Sequence, residues 1–404
     1  MRKSVIAIMV SAMMLLAGSA FATTYYVSTD GDNTNDGLTK QTAWRDINYG
    51  DRAQILQPGD VVLVQPGLYE GSTIGGDNPA FGYEFSECSG TEGNPITYKA
   101  DGEVIVDNAT ATTNDVHTKN LTIHADYIVV EGFKLTGAAM GVNGNGTGSW
   151  VRNCEIYDLE TINSIWPNSA GVYIEGEKSL NVEGCYIHDI PVSTNESFGI
   201  YTMASFWRST PGPSATFRNN LIYNIKGGGI CVRGGRTNDQ IYNNTIVSCV
   251  NAAIGVVGGN VIPGSATARN NVFFSCGKGL LTDGGTFAAN DHNVFFNCTA
   301  NYQNAAAGAW EFNADPLFTD EWGMDYTPAD GSPGINVGVD LGIPYNGSAP
   351  DYGAFESDSV SYCGFVSGTV ADLSGNPIAM AYVTTTENPE VYAYTASDGT
   401  YTLP

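Results

Sequence analysis

The chain has 404 residues, with 42 Asp and Glu against 17 Lys and Arg and a formal charge of −25 at neutral pH. A chain this acidic lacks the cationic surface that nucleic-acid phosphates require, which excludes a nucleic-acid partner. Only 15% of residues are charged while Gly (49) and Tyr (22) are abundant, which argues for a turn-rich β protein over a helical one.

Taken in chain order, Arg2 and Lys3 precede an apolar run from Val5 to Leu16, and Ala20-Phe21-Ala22 offers a small-x-small cleavage site. The run is too short to span a bilayer and reads as a secretory signal peptide, residues 1–22, cleaved near Ala22. The mature protein is expected to be secreted or held at the cell surface, and no later apolar stretch predicts a membrane span. Without the leader, 15 basic residues face 42 acidic ones.

The next stretch, STDGDNTNDG (28–37), has the composition of a calcium loop. An EF-hand needs a glutamate at the twelfth position from Asp30 and a glycine at the sixth, where this chain has Gln41 and Asn35. The segment reads instead as a tight turn at Asn35-Asp36-Gly37 after a strand over Tyr25–Ser28.

From residue 131 a short phrase recurs: EGFKLTG (131–137), NCEIYD (153–158), GCYIHD (184–189), NNLIYN (219–224), NNTIVS (243–248), NNVFFS (270–275) and HNVFFN (292–297). Aligned on Leu135, Ile156, Ile187, Ile222, Ile246, Phe273 and Phe295, the spacings are 21, 31, 35, 24, 27 and 22 residues. A second phrase interleaves with it, as in GVYIEGE (171–177), GIYTMAS (199–205), GICVRGG (229–235) and GLLTDGG (279–285). Two strand phrases per period of this length predict a parallel β-helix, one coil per repeat, with the longer spacings carrying inserted loops. Asn219/Asn243/Asn270 and Asn220/Asn244/Asn271/Asn293 predict stacked ladders. Cys154, Cys185, Cys249, Cys276 and Cys298 fall in columns that suit buried thiols better than disulfides.

Three segments carry family resemblance. YYVSTDGDNTNDGLTKQTAW…ILQPGDVVLVQPGLY (25–69) with GTEGNPITYKA (90–100), and ADPLFTD…GSPGIN…DYGAFE (314–356), resemble the opening and closing segments of secreted right-handed β-helix proteins. That superfamily includes polysaccharide lyases of the pectate, alginate and chondroitin types. VSGTVADLSGNPIAMAYVTT…TASDGTYTLP (366–404) resembles a carboxypeptidase-regulatory-like β-sandwich and stops short of its remaining strands. The expected organisation is therefore all-β: a signal peptide (1–22), a right-handed parallel β-helix (23–356), a linker (357–365) and a partial β-sandwich (366–404). Anchoring to the cell surface through parts beyond Pro404 fits this reading.

Strand alternation places Tyr173/Glu175, Tyr201/Met203, Cys231/Arg233 and Leu281/Asp283 on the outside of the second phrase. The longest inserts add Lys178, His188, Asp189, Trp207, Arg208 and Arg236 near the same coils. Tyr and Trp faces suit sugar rings, and Arg, Asp and Glu suit carboxylates and hydroxyls. Tyr173, Tyr201, Trp207, Arg208, His188 and Asp189 are thus candidate substrate-binding residues for a uronic-acid-containing polysaccharide. The resemblance implies β-elimination, with a cation (Ca2+ or an Arg or Lys group) neutralising the substrate carboxylate and a Lys or Arg as base. Arg233 is the first candidate, followed by Lys178, Lys226 and Arg236. The calcium-ligand clusters of those lyases have no match in this chain. A hydrolase would instead pair carboxylates such as Glu175 with Asp189 or Glu177. A non-catalytic surface protein, with the β-helix as a glycan-binding or structural stalk, is the competing class.

Overall fold

The computed structural model describes residues 22–70, 82–109, 118–159, 169–191, 197–204, 211–259, 261–357, 365–386, 389 and 391–404. The signal peptide through Phe21, Trp207, Arg208, Cys363 and parts of the 158–170 and 188–198 inserts lie outside these residues. No helix among the described residues is long and apolar enough to cross a membrane.

Strands recur in a fixed order of three per coil, as in Leu180–Glu183, Tyr186–Ile190 and Ser197–Met203, followed by Thr216–Arg218, Leu221–Ile225 and Gly228–Arg233. Each strand pairs in parallel with its equivalent in the next coil. Three long parallel sheets result, called first, second and third here in the order the chain visits them within a coil. The repeat phrases correspond to the second and third sheets. The first sheet, one more strand per coil than those phrases predict, is hidden in the sequence by its corner. Only Gly184-Cys185, Asn219-Asn220 or Asn243-Asn244 separates a first-sheet strand from a second-sheet strand, so the two read as one apolar-alternating run. The first residue of each corner takes a left-handed conformation (φ 65°, 55° and 50°), which Gly and Asn tolerate.

The register is strict. Leu135, Ile156, Ile187, Ile222, Ile246, Phe273 and Phe295 pair coil to coil and are fully buried. Beside them runs an amide ladder: Asn220 Nδ2 donates to Asn244 Oδ1 (2.9 Å), Asn244 to Asn271 (3.0 Å) and Asn271 to Asn293 (3.0 Å). Each of these side chains also donates to a backbone carbonyl (Val182, Phe217, Ile241 and Ala268). A buried amide is tolerable only when so satisfied, because an orphaned one costs about 1–3 kcal/mol. The ladder ends on a carboxylate. Glu311 accepts from Asn293 Nδ2 (2.6 Å), Asn290 Nδ2 (3.1 Å), the Tyr302 hydroxyl (3.0 Å) and the Gly308 amide.

The described cysteines are free, and all but Cys298 are buried. Burial pushes the Cys185 and Cys276 thiols well up, so they pack as inert small hydrophobes. The outside of the first sheet carries a column of alternating charge: Lys99–Glu131 (2.9 Å), Arg152–Glu183 (2.9 Å), Glu183–Arg218 (2.6 Å) and Arg269–Asp291 (2.9 Å). Arg152 and Arg218 also lie against the Trp150 ring, at 4.6 and 5.3 Å from its centroid.

Arg236 belongs to the interior and not to a substrate groove. It is 1% exposed, paired through Nη2 with Asp239 Oδ1 (3.2 Å), and donates from Nη1 to the Lys178 carbonyl (3.1 Å). At the far end Phe312–Asn313 accepts the antiparallel strand Tyr392–Tyr394, and Val366–Thr369 pairs with Thr400–Leu403. Phe312, Tyr352, Ala393 and Leu403 share one apolar cluster there, so the C-terminal segment covers an otherwise open end of the stack.

Two outcomes are expected. Burial holds the Glu311 carboxyl at about 7, up from 4.5, so the folded chain keeps a proton that the unfolded chain has lost. Its contribution to stability is therefore largest below the unfolded value, falls by roughly 3 kcal/mol as pH rises to the folded value, and is flat above it. Half-buried Glu356, also pushed up to about 7, acts with the same sign. Thermal melts across this window should lose part of their pH slope in Glu311→Gln and most of it in the Glu311→Gln/Glu356→Gln double variant. Arg236→Ala strands the Asp239 carboxylate in the interior and should lower stability in urea by about 3–5 kcal/mol, whereas Arg236→Met/Asp239→Leu should lower it less.

Candidate functional site

The third sheet alternates strictly. In Ser197–Met203 and Gly228–Arg233, Ile200, Thr202, Ile230 and Val232 point inward, which turns Tyr201, Met203, Cys231 and Arg233 outward. Parallel register then aligns two outward columns. One runs Asn143, Tyr173, Tyr201, Cys231, Gly255 and Leu281. The other runs Glu175, Met203, Arg233, Val257 and Asp283.

The two tyrosines do not present their faces to solvent. Tyr173 and Tyr201 are 7% and 3% exposed and stack on each other, centroids 5.0 Å apart and 17° from parallel. In-register stacking uses the ring faces that a sugar would need, and Met203, Cys231 and Phe198 complete an apolar cluster around them. The expectation that these rings stack on substrate is corrected accordingly. Glu175, exposed at the strand end, is separated from Arg233 by Met203.

Beyond Tyr201 the face opens into a groove of about 280 Å³. Its floor holds Cys231, Gly255 and Leu281 in one column and Arg233, Val257 and Asp283 in the other, with Phe198 as a wall. Arg233 Nη1 donates to the Tyr201 hydroxyl (3.3 Å), which holds the guanidinium toward the tyrosine pair at the edge of the groove. Two strand spacings of ~4.8 Å put Arg233 and Asp283 roughly 10 Å apart along the axis. The floor dips at Gly255, where an added Cβ would meet only Leu281 Cδ2, at 3.8 Å.

The remaining candidates lie elsewhere. Lys178 sits at the corner between third and first sheets, its ammonium paired with Asp126 Oδ1 (2.8 Å). Arg218 belongs to the first-sheet charge column, and Arg236 is buried with Asp239. The basic residues that cluster in sequence are thus spread around the coil, because a stretch of that length passes all three sheets. His188 and Asp189 are on the second sheet, away from the Arg233 groove. Both belong to the strand Tyr186–Ile190, in which Asp189 takes a left-handed conformation (φ 51°). His188 Nδ1 meets Asp189 Oδ2 at 2.8 Å and its Nε2 meets Glu155 Oε1 at 3.4 Å. Glu175 and Asp189 therefore occupy different sheets and form no carboxylate pair. Among the described residues no group of three or more His, Cys, Asp or Glu is placed to hold a metal ion.

Asp283 and Phe198 complete the groove but did not stand out in sequence. Asp283 occupies the same phrase position as Arg233, and that shared position is the signal that places it in the column. Glu155, Tyr157 and Tyr223 sit in the same repeat phrase as His188, which is enough to predict that they are its neighbours.

Among solved structures, a pectate lyase, Pel9A, superposes with a TM-score of 0.50 at 17% identity, covering 84% of this chain and 97% of that one. A lacto-N-biosidase from Eubacterium ramulus gives 0.47 at 16% identity, covering 68% and 56%. An alginate lyase from Paenibacillus sp. str. FPU-7 gives 0.46 at 15% identity, covering 71% and 90%. At these identities the likeness is one of fold. A comparison with curated protein sequences finds no match. The family model described as the right handed beta helix region matches residues 96–315, more than half of the sequence, and so the chain belongs to the right-handed β-helix family.

Proposed function

We propose that the protein is an exported, polysaccharide-active β-helix that holds an acidic glycan in the third-sheet groove, with Arg233 pairing to a uronate carboxylate. The observation that carries this is a guanidinium, held by the Tyr201 hydroxyl, at the edge of an open, mostly apolar floor. Arg binds carboxylates in a two-pronged geometry, and a groove walled by apolar side chains strengthens that pairing. Asp283, roughly 10 Å further along the axis, suits the hydroxyls of a unit further along the chain. Export rests on the leader-like N-terminus, and the fold shared with a pectate lyase supports a polysaccharide as partner.

β-Elimination is the catalytic form of this reading. The proton at C5 passes to a base, a C4–C5 double bond forms, the C4–O4 bond breaks and the leaving oxygen takes up a proton. Arg233 supplies charge neutralisation for the carboxylate through these steps. A guanidinium keeps its proton at ordinary pH, so it binds far better than it accepts protons. Among the described lining residues there is no His or Lys, which favours a glycan-binding role over cleavage as the second reading. Were calcium bound with the substrate, Asp283 would be the residue to hold it, and it would supply charge neutralisation for a uronate carboxylate.

Pectate, alginate and chondroitin should be tested with and without calcium, by binding and by absorbance of unsaturated uronide products. Arg233→Ala is expected to weaken binding at least tenfold at low salt, with a shallower salt dependence. Gly255→Val fills the floor without meeting backbone and should block binding while leaving the melting curve intact. Binding unchanged in both variants would refute the groove, and product formation in the wild type alone would establish cleavage.

A further inference from the structure

The second sheet carries its own outward column, Tyr157, His188 and Tyr223, whose rings stack at 5.5 Å (9°) and 4.5 Å (5°). Further along, the column continues as Val247, Phe274 and Phe296 and is covered by the closing segment, where Phe318 meets Phe274 at 5.4 Å and Tyr326 meets Tyr223 at 6.2 Å. The cover ends in a hairpin of Phe318–Asp320 and Asp325–Pro328. Between that hairpin and the uncovered part of the sheet lies a cleft of about 390 Å³.

Tyr186 lines this cleft outside the stack, and Trp322 stands on the hairpin turn two residues before the lining Met324. Tyr186, in the neighbouring outward column, is 45% exposed and tilts toward Phe355 at 6.2 Å. Trp322, at the hairpin tip, is 98% exposed, and Met324 beside it is 54% exposed. An indole held fully in water on a short hairpin exposes a large apolar surface that a ligand would cover. The carboxylates among the described lining residues are Glu155 and Asp325, with the His188 imidazole beside Glu155. Glu155 is held in place by Lys134 Nζ (3.1 Å) and His188 Nε2 (3.4 Å).

We infer that this cleft is a second carbohydrate site, on a different face from Arg233, and that it takes a neutral glycan. Carboxylates accept hydrogen bonds from sugar hydroxyls and repel a polyanion, whereas Tyr186 and Trp322 supply flat apolar surfaces for sugar rings. The selectivity is the reverse of the Arg233 groove, and the inference does not depend on that groove binding anything.

The test is affinity electrophoresis of the full chain in gels containing xylan, galactan, glucomannan or mixed-linkage β-glucan, with pectate gels in parallel. Retardation is expected in at least one neutral gel. Trp322→Ala and Tyr186→Ala should each weaken it at least tenfold without moving the melting curve, and Arg233→Ala should leave it unchanged. No retardation in any neutral gel, or retardation that survives both aromatic variants, overturns the proposal. Loss of neutral binding in Arg233→Ala would assign it to the other groove and would likewise overturn it.

Discussion

Each coil has to set its residues directly over their equivalents in the next, at a spacing of ~4.8 Å. That requirement governs the interior, where one aliphatic or aromatic residue per coil forms an unbroken buried column. It also makes a buried polar column feasible. An asparagine alone in this core would be costly, but four in register pass one hydrogen bond along the axis, and Glu311 closes the last one. The carboxylate that finishes the ladder is thereby held in a dry place, which is why it keeps its proton into the neutral range.

The same requirement decides which surface groups remain available. Like aromatic residues in adjacent coils meet face to face, as Tyr173 meets Tyr201 and His188 meets Tyr223. Opposite charges in adjacent coils neutralise each other, as along the outside of the first sheet. Groups that break the column pattern have unlike neighbours on both sides: Arg233 stands between Met203 and Val257, and Tyr186 between Glu155 and Leu221.

The coil, its inward residues and the asparagine and cysteine columns were legible in the sequence, because a solenoid writes each contact as a repeat at a fixed offset. The first sheet was not, because two-residue corners such as Asn219-Asn220 interrupt neither the apolar alternation nor the run length. The outward position of Arg233 and Asp283 followed from alternation alone. Whether a tyrosine there faces a ligand or another tyrosine depends on its neighbour one coil away, which alternation within one strand does not show. The grouping of His188 with Arg233 failed for a related reason: residues less than two coils apart in sequence stand on different sides of the molecule.

Charge is unevenly distributed along the stack. The last cation of the chain is Lys278, and sixteen carboxylates follow it. The first sheet alone strings ten strands along the axis, a span of roughly 40 Å, several times the ~8 Å over which physiological salt screens a charge. Many of those carboxylates do not stay at the end of the stack, because the closing segment runs back along the second sheet and brings Asp325 beside Glu155 and Asp351 beside Asn243. A negatively charged matrix is therefore repelled from the second-sheet side of the rod before any contact forms.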